Sequence, residues 1–242
     1  MSMDIRENSS FPATMVNNKT STWDQIYLRK GKVQLQPLKV ITWLINLLEE
    51  KGLTEPRVLD AGCGTGRNVL PILSAFDNSS AVLFDNSPVA LTLLEADIVK
   101  LGLKERVDII ELDLDTGLSV ITQQFDAVIA SLVVHHGYMN EIETRLTSLK
   151  EKLLLGGIFI YAAPSIFDPR ARTGTEVEPN TFINTEQDDG ALPHHYSTSE
   201  EIEMQLFPEF EALYRHLARP QIVTGDPKQQ ASHWEYAFKK AK

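Results

Sequence analysis

The segment RVLDAGCGTGRNVL, residues 57–70, places Gly62, Gly64 and Gly66 between a short apolar run and a second segment of apolar periodicity. Glycine after a strand lets a ligand press against bare backbone, and a helix that follows presents its N–H groups to that ligand. The dinucleotide pattern G-x-G-x-x-G would need a third glycine where the chain has Arg67. The spacing therefore predicts a ligand-binding turn and argues against a pyrophosphate in close approach.

Acidic residues close the first three apolar runs of the chain, at Asp60, Asp85 and Asp113. Asp85 follows Gly62 by 23 positions, which matches the distance of roughly 20 residues at which a carboxylate binds ribose hydroxyls in nucleotide-binding folds. Asp113 could accept a hydrogen bond from an exocyclic amine. A negative rim around a glycine turn favours a cationic nucleoside as the ligand.

Two histidine pairs could supply acid–base chemistry. His135 and His136 follow the fourth apolar run, whereas His194 and His195 precede Tyr196 in LPHHYS. We interpret His136, His195 and Tyr196 as catalytic candidates, since a histidine at the mouth of the pocket could take a proton from an acceptor. The alternative is that both pairs only pack or face solvent. Adjacent histidines do not share a helix face as i, i+4 ligands do, so we expect no metal site and no metal requirement.

These residues need elements to position them, and apolar runs alternate with helical periodicity along most of the chain. This alternation predicts βαβ units with a parallel sheet. Helices are predicted over 35–52, 68–75, 88–102, 141–157 and 197–207, and strands over 57–61, 81–85, 106–113, 125–134, 158–163, 209–218 and 233–240. The helix over 141–157 is expected to end at its glycine pair.

Composition limits the classes of function. The chain has 242 residues, 43% of them hydrophobic, and a formal charge of −10, so no overall basic field attracts nucleic acid. Its one cysteine, Cys63, fits a reducing compartment. No signal peptide or membrane-spanning run is evident in the sequence. We therefore expect a cytoplasmic protein that binds neither nucleic acid nor membranes; composition leaves the oligomeric state open.

The motifs together resemble those of class I S-adenosylmethionine-dependent methyltransferases. The matching segments are VLDAGCGTGR, VLFDNSPVAL, DLD, FDAVIASLVVHH and LLLGGIFIY, in that order within residues 57–163. The resemblance implies an α/β fold: a doubly wound, Rossmann-like, seven-stranded and mostly parallel sheet with an antiparallel last strand and helices on both faces. The flanking segments resemble, more loosely, the small-molecule and tellurite-resistance-type methyltransferases.

The resemblance also implies which residues bind S-adenosylmethionine. The acid of the first strand and the glycine turn face the methionine moiety, the second acid holds the ribose, and the third lies by the adenine. We add Tyr27, which could close over the sulfonium with Trp23 by cation–π contact; both aromatic residues could instead only pack. The implied cofactor-binding set is Tyr27, Asp60, Gly62, Cys63, Gly64, Gly66, Asp85, Asn86, Asp113, Leu114 and Ser131.

We expect one methyltransferase domain with a helical cap over 1–55, a cofactor-binding core over 56–163, a substrate lid over 164–197 and a closing helix with strands over 198–242. The predicted reaction is direct in-line methyl transfer to a small molecule. The chain has no [DN]-P-P-[YF] tetrad after the fourth strand, which disfavours a flipped base as acceptor. The alternatives are a protein or peptide methyltransferase and a non-catalytic scaffold that binds the cofactor.

Overall fold

A computed structural model describes residues 18–32, 36–185, 191–219 and 231–240. The helices are α1 (Asn18–Lys30), α2 (Lys39–Glu50), α3 (Val69–Ala75), α4 (Pro88–Lys100), α5 (Met139–Glu151) and the single turn α6 (Ser199–Glu201), which a π-helical turn (Ile202–Leu206) continues. The strands are β1 (Arg57–Ala61), β2 (Ser80–Asp85), β3 (Val107–Glu111), β4 (Phe125–Ser131), β5 (Leu153–Pro164), β6 (Thr175–Glu178), β7 (Thr181–Ile183), β8 (Pro193–His195), β9 (Phe210–Ala218) and β10 (His233–Lys240). Residues 1–17 of the predicted helical cap lie outside the described residues.

Seven strands form the central sheet, in the order β3-β2-β1-β4-β5-β10-β9. Strand β1 pairs in parallel with both β2 and β4, whereas β10 runs antiparallel to both of its neighbours, β5 and β9. The predicted fold class is confirmed, with the antiparallel strand inserted next to the edge strand. The chain order reverses between β1 and β4, and ligands of such sheets bind beyond the carboxyl ends of the strands at that point.

Helices cover both faces of the sheet. Its inner strands are apolar almost throughout, as parallel strands covered by helices must be. On one face, Leu44 of α2, Ile72 of α3 and Leu94 of α4 belong to a single apolar cluster. On the other face, Leu146 of α5 packs in a second cluster with Phe207, which follows the π-helical turn. The two clusters make β1 and β4 a rigid base for the turns that follow them.

The start of α4 fixes the position of the turn after β2. Ser87 caps this helix, and its hydroxyl accepts a hydrogen bond from the Ala90 backbone N–H at 3.2 Å. Pro88 occupies the first turn, where its missing N–H is not needed. The cap places Asp85 and Asn86 at the end of β2 in a defined conformation.

Two predicted boundaries were wrong. Helix α5 ends at Glu151, and the segment that contains the glycine pair belongs to β5. Phe125 of β4 pairs with Leu153, but Ala127 already pairs with Ile158, so the extra residues of β5 form an irregularity that holds the glycines. Strand β4 ends at Ser131, three residues earlier than predicted, because Leu132 adopts a left-handed conformation with φ 55°.

The segment over 164–197, expected to be an irregular lid, contains a small antiparallel sheet in the order β6-β7-β8. Its strands are three or four residues long, too short to give a clear alternating pattern in the sequence. An antiparallel bridge joins His194 of β8 to His136, and Ser197 bridges to Ser165 beyond β5. The small sheet is therefore tied to the turns that follow β4 and β5.

No helix among the described residues is long and apolar enough to span a membrane.

Candidate active site

A cleft that encloses about 1080 Å³, part of it open to solvent, lies at the carboxyl ends of β1, β2 and β4. The wall of the cleft is formed by the glycine turn, the ends of three strands, α1 and the segment before β8. The cleft is lined by Trp23, Tyr27, Gly62, Cys63, Gly64, Thr65, Arg67, Asn68, Phe84, Asp85, Asn86, Leu112, Asp113, Leu114, Asp115, Ser131, Leu132, Val133, His136, Arg145 and Leu192. Most of the predicted cofactor-binding residues thus line one cavity.

The glycine turn after β1 has no room for side chains at two positions. A Cβ atom at Gly62 would lie 2.3 Å from Cγ2 of Val133, and one at Gly64 would lie 2.6 Å from the Tyr27 hydroxyl. Both glycines also adopt positive φ angles, 63° and 52°, which other L-residues rarely adopt. The turn is therefore a cradle of bare backbone between the strand-four loop and α1.

Asp85 is tied into this cradle by its carboxylate. One oxygen accepts the Gly64 backbone N–H at 2.8 Å, and the other accepts the Ser87 N–H at 2.9 Å. Burial raises the pKa of Asp85, although these backbone hydrogen bonds oppose the rise. Next to it, the Asn86 amide donates to Asp113 at 3.2 Å. The acid predicted for the ribose and the two residues predicted for the adenine are thus neighbours on one wall.

Asp60 lies at the end of β1 but is not among the residues that line the cleft. Its carboxyl group is fully buried, and its Oδ2 has no hydrogen-bond partner among the described residues. Burial raises the pKa of Asp60 to about 7, while the nearby Arg67 guanidinium opposes that rise. Arg67 lines the cleft and donates to the Ser131 hydroxyl at 3.1 Å. The sequence analysis used Arg67 only to reject the dinucleotide pattern and missed its place in the site.

Helix α1 forms part of the wall of the cleft, and it carries Trp23 and Tyr27, for which contact with a sulfonium stays a prediction. Both aromatic side chains line the cleft, and Asp24 between them accepts hydrogen bonds from the Ser87 hydroxyl and the Val89 N–H. Burial raises the pKa of Tyr27 above its ordinary value, and the Asp85 carboxylate adds to that rise. The Tyr27 phenol is therefore neutral and placed against the glycine turn.

Arg145 of α5 was missed by the sequence analysis. Its side chain is almost fully buried and forms an ion pair with Asp115, with Nη2 3.0 Å from Oδ2. Nη1 donates to the backbone carbonyls of Val134 and His136, at 3.2 and 2.8 Å. A charged residue beside the apolar positions Ile142 and Leu146 is the signal that could have revealed it. This side chain holds the turn that presents His136 to the cleft.

The predicted catalytic residues lie in two environments. His136 lines the cleft and contacts Trp23 edge to face, with ring centroids 5.2 Å apart. His195 and Tyr196 are not among the lining residues. The ring nitrogens of His195 lie 2.8 Å from the Thr181 hydroxyl and 2.8 Å from a Glu201 carboxylate oxygen, whereas the Tyr196 ring packs on Phe182.

The two histidine pairs nevertheless meet. The His195 N–H donates to the His135 carbonyl at 3.0 Å, and the rings of His135, His136 and His194 form one cluster. Burial lowers the pKa of His135 well below its ordinary value, and the neighbouring histidines add to this effect. Arg170 forms a two-point contact with Asp168 and does not line the cleft.

The lining fits S-adenosylmethionine. The glycine turn contributes backbone at Gly62 and Gly64, Asp85 presents a carboxylate of the kind that binds a ribose diol, and Asn86 with Asp113 presents amide and carboxylate groups to the cleft. Residues 58–157 match the family model described as a methyltransferase domain. This match covers less than half of the chain and indicates a methyltransferase domain within residues 58–157.

Similar proteins place this methyltransferase domain in context. The chain is 35% identical over 99 residues to the release factor glutamine methyltransferase of Deinococcus radiodurans, which is 40% of this chain and 35% of that protein. A second curated relative is matched over only 26% of its length, so the chain spans about a third or less of the curated relatives it matches. These alignments concern the shared domain alone.

Two solved structures share the fold of this chain along most of its length. The 1,6-didemethyltoxoflavin-N1-methyltransferase of Burkholderia thailandensis, solved with 1,6-didemethyltoxoflavin and S-adenosylhomocysteine, has a TM-score of 0.62 at 15% identity and covers 96% of this chain and 93% of its own. TehB of Haemophilus influenzae has a TM-score of 0.62 at 14% identity, over 90% of this chain and 66% of its own. At such identities the likeness concerns the fold.

Proposed function

We propose that this protein transfers the methyl group of S-adenosylmethionine to a small-molecule acceptor. The observation that carries the proposal is the continuity of one cleft, which joins the glycine turn and the strand-end acids to a second region walled by Trp23, Tyr27 and His136. A cofactor bound along the first region directs its reactive end toward the second.

The cofactor-binding roles follow from the groups that the wall presents. Asp85 binds the ribose hydroxyls, since a carboxylate is an acceptor for a diol. Asn86 and Asp113 bind the adenine edge, with Leu114 beside them. Arg67 and Ser131 bind the carboxylate end of the methionine portion. The bound cofactor supplies an activated methyl group on a sulfonium, so the protein has to align the acceptor and exclude water.

The acceptor side is walled by side chains of α1 and of the segment before β8, and this favours a small molecule over a protein. Helix α1 covers it through Trp23 and Tyr27, and Leu192 before β8 forms another wall. A folded protein could not reach the cradle without displacing α1, which is hydrogen-bonded to the start of α4. The Burkholderia enzyme in the comparison, solved with a small molecule, supports the same assignment. We also propose that the protein acts in the cytoplasm, where the thiol of Cys63 stays reduced.

His136 is the predicted catalytic residue that lines the cleft, and we propose that it contacts the acceptor and promotes loss of the acceptor's proton. General base catalysis requires hydrogen-bond reach between base and acceptor. His195 and Tyr196 support the site from outside the cleft wall. His195 links Thr181 of β7 to Glu201 of α6. This link fixes β8, which bridges to His136.

Calorimetry with S-adenosylmethionine, S-adenosylhomocysteine and a nicotinamide dinucleotide tests the cofactor assignment directly. We expect saturable binding of the first two with one site per chain. Preference for the dinucleotide, or binding of none of the three, would refute the proposed function. Formation of S-adenosylhomocysteine with a metabolite extract, but not with buffer alone, is the expected sign of turnover.

A further inference from the structure

Three buried histidines lie together at the acceptor end of the cleft. His135, His136 and His194 are 5%, 9% and 4% exposed, and each offers one ring nitrogen within 4.8 Å of those of the other two. Ring centroids are 3.8 Å apart for His135 and His136 and 4.7 Å apart for His136 and His194. Three imidazoles from two chain segments thus converge on one point.

The fold brings this trio together through backbone contacts. His135 and His136 lie in a turn before α5. The helical spacing that was expected to exclude a metal site therefore does not apply to them. The bridge between His136 and His194 and the hydrogen bond from the His195 N–H to the His135 carbonyl fix the third histidine opposite the first two. Arg145 holds the same turn by its carbonyls.

One detail of the rings favours a bound cation at the trio. The Nδ1 atom of His135 is buried and has no hydrogen-bond partner among the described residues, which is unfavourable for a polar atom out of reach of water. A metal ion bound by this nitrogen would supply the partner. On the other side of the trio, His194 Nδ1 lies 2.9 Å from the Leu192 carbonyl, and such a contact orients the ring of a metal-binding histidine.

We propose that His135, His136 and His194 bind a divalent transition-metal ion of the zinc type. Imidazole nitrogens are preferred ligands of such ions, and three of them leave a coordination position open. Nitrogens bound to one tetrahedral zinc ion lie about 3.4 Å apart, because each Zn–N bond is about 2.0–2.1 Å long, so the binding of an ion requires the three rings to rotate closer together. The site differs from the metal-free pocket expected from the sequence.

The position of the ion suggests the class of acceptor, and this step rests on the proposed function. His136 belongs both to the trio and to the cleft wall, so the open position faces the acceptor. A hydroxyl or thiol bound there loses its proton more readily, because the cation stabilises the anion. The O–H or S–H proton passes to water, the new bond to carbon forms from the oxygen or sulfur lone pair, and the sulfonium–methyl bond breaks. In this arrangement His136 promotes deprotonation of the acceptor through the ion that it binds.

Metal binding is testable without activity. The full chain is treated with a chelator, dialysed and titrated with ZnCl₂ by calorimetry, and with CoCl₂ by visible absorbance. We expect one zinc ion per chain, a cobalt spectrum typical of few-coordinate nitrogen ligation, and an affinity at least about 100-fold lower in His135→Ala and His194→Ala. His216→Ala, which removes a histidine of β9 outside the trio, is the matched control and should bind zinc as the wild type does.

His194→Gln covers the case in which alanine disturbs the fold, because glutamine keeps a polar side chain of similar length. Circular dichroism and S-adenosylmethionine binding report whether each variant is folded. Wild-type zinc affinity in folded His194→Ala or His194→Gln protein, or no zinc binding by the wild type, overturns the metal site. Methyl transfer that continues without metal would overturn the metal step alone, whereas zinc binding without any methyl transfer would refute only the proposed function.

Discussion

The cofactor side and the acceptor side of the cleft are built in different ways. The cofactor side consists of residues that directly follow β1, β2 and β3, so each is placed by a strand that its own neighbours in sequence define. The acceptor side consists of the turn over 132–138, the small β6-β7-β8 sheet and Arg145, which meet only through contacts between distant segments. A local motif can reveal the first kind of site, and only the folded chain reveals the second.

The largest effect is expected from Gly62→Ala on the cofactor side. The new Cβ would meet Val133 at 2.3 Å, so overpacking should lower the free energy of unfolding by about 1–3 kcal/mol and S-adenosylmethionine affinity by more than about 100-fold. Gly102→Ala is the matched control: φ is again positive, at 70°, but nothing lies within 4 Å. Denaturant unfolding and calorimetry compare the two, and equal cofactor affinity in both variants would contradict a close-packed cradle.

On the acceptor side, His136→Ala should lower methyl transfer by about 10²-fold, the scale of general acid–base assistance, with cofactor affinity nearly unchanged. His195→Ala should instead lower stability, because both of its ring nitrogens bond to other side chains. Steady-state kinetics and thermal unfolding separate the two. Full activity in His136→Ala would show that this histidine only packs.

Asp85→Asn should weaken S-adenosylmethionine binding by about 1.5–3 kcal/mol, the contribution of a hydrogen bond to a charged group. The exposed Asp108 of β3 lies outside the cleft, and Asp108→Asn controls for the loss of one negative charge. Calorimetry on both variants gives the comparison. Equal weakening in the two would mean that net charge, not a specific contact, governs binding.

The last effect is confined to the dependence of stability on pH and concerns Asp60. Its folded pKa of about 7 lies above the ordinary value of 3.8, so the folded state holds a proton that the unfolded state releases. The contribution of this group to stability is present below about pH 4 and is lost as pH rises to about 7, by at most about 1.4 kcal/mol per pH unit. Asp60→Asn should therefore become more stable relative to the wild type on going from pH 5 to pH 8, as measured by denaturant unfolding without cofactor. A difference that does not change with pH would show that Asp60 is ionised throughout.

Sequence analysis was most successful where chemistry and strand ends coincide. Gly62, Asp85 and Asp113 were placed because β-branched runs and the residues after them are neighbours along the chain. The mostly parallel sheet was predicted from the same alternation of strands and helices.

The features that sequence reasoning missed have one cause: each depends on contacts between segments that are distant along the chain. The glycine pair at 156–157 is a typical helix end, but pairing of Leu153 with Phe125 draws it into β5. Arg145 owes its place to Asp115 and to two carbonyls of another segment, and the histidine trio exists because β8 bridges to His136. None of these partners can be read from spacing along the chain.

Transfer of an isotopically labelled methyl group tests the central claim most directly. The protein is incubated with S-adenosylmethionine labelled in its methyl group and with a cell extract separated by size into small molecules and proteins. The account predicts that label enters the small-molecule fraction, and that His136→Ala greatly reduces it while Asp108→Asn does not. Label found only in the protein fraction, or in neither fraction while the cofactor is bound, would contradict a small-molecule methyltransferase.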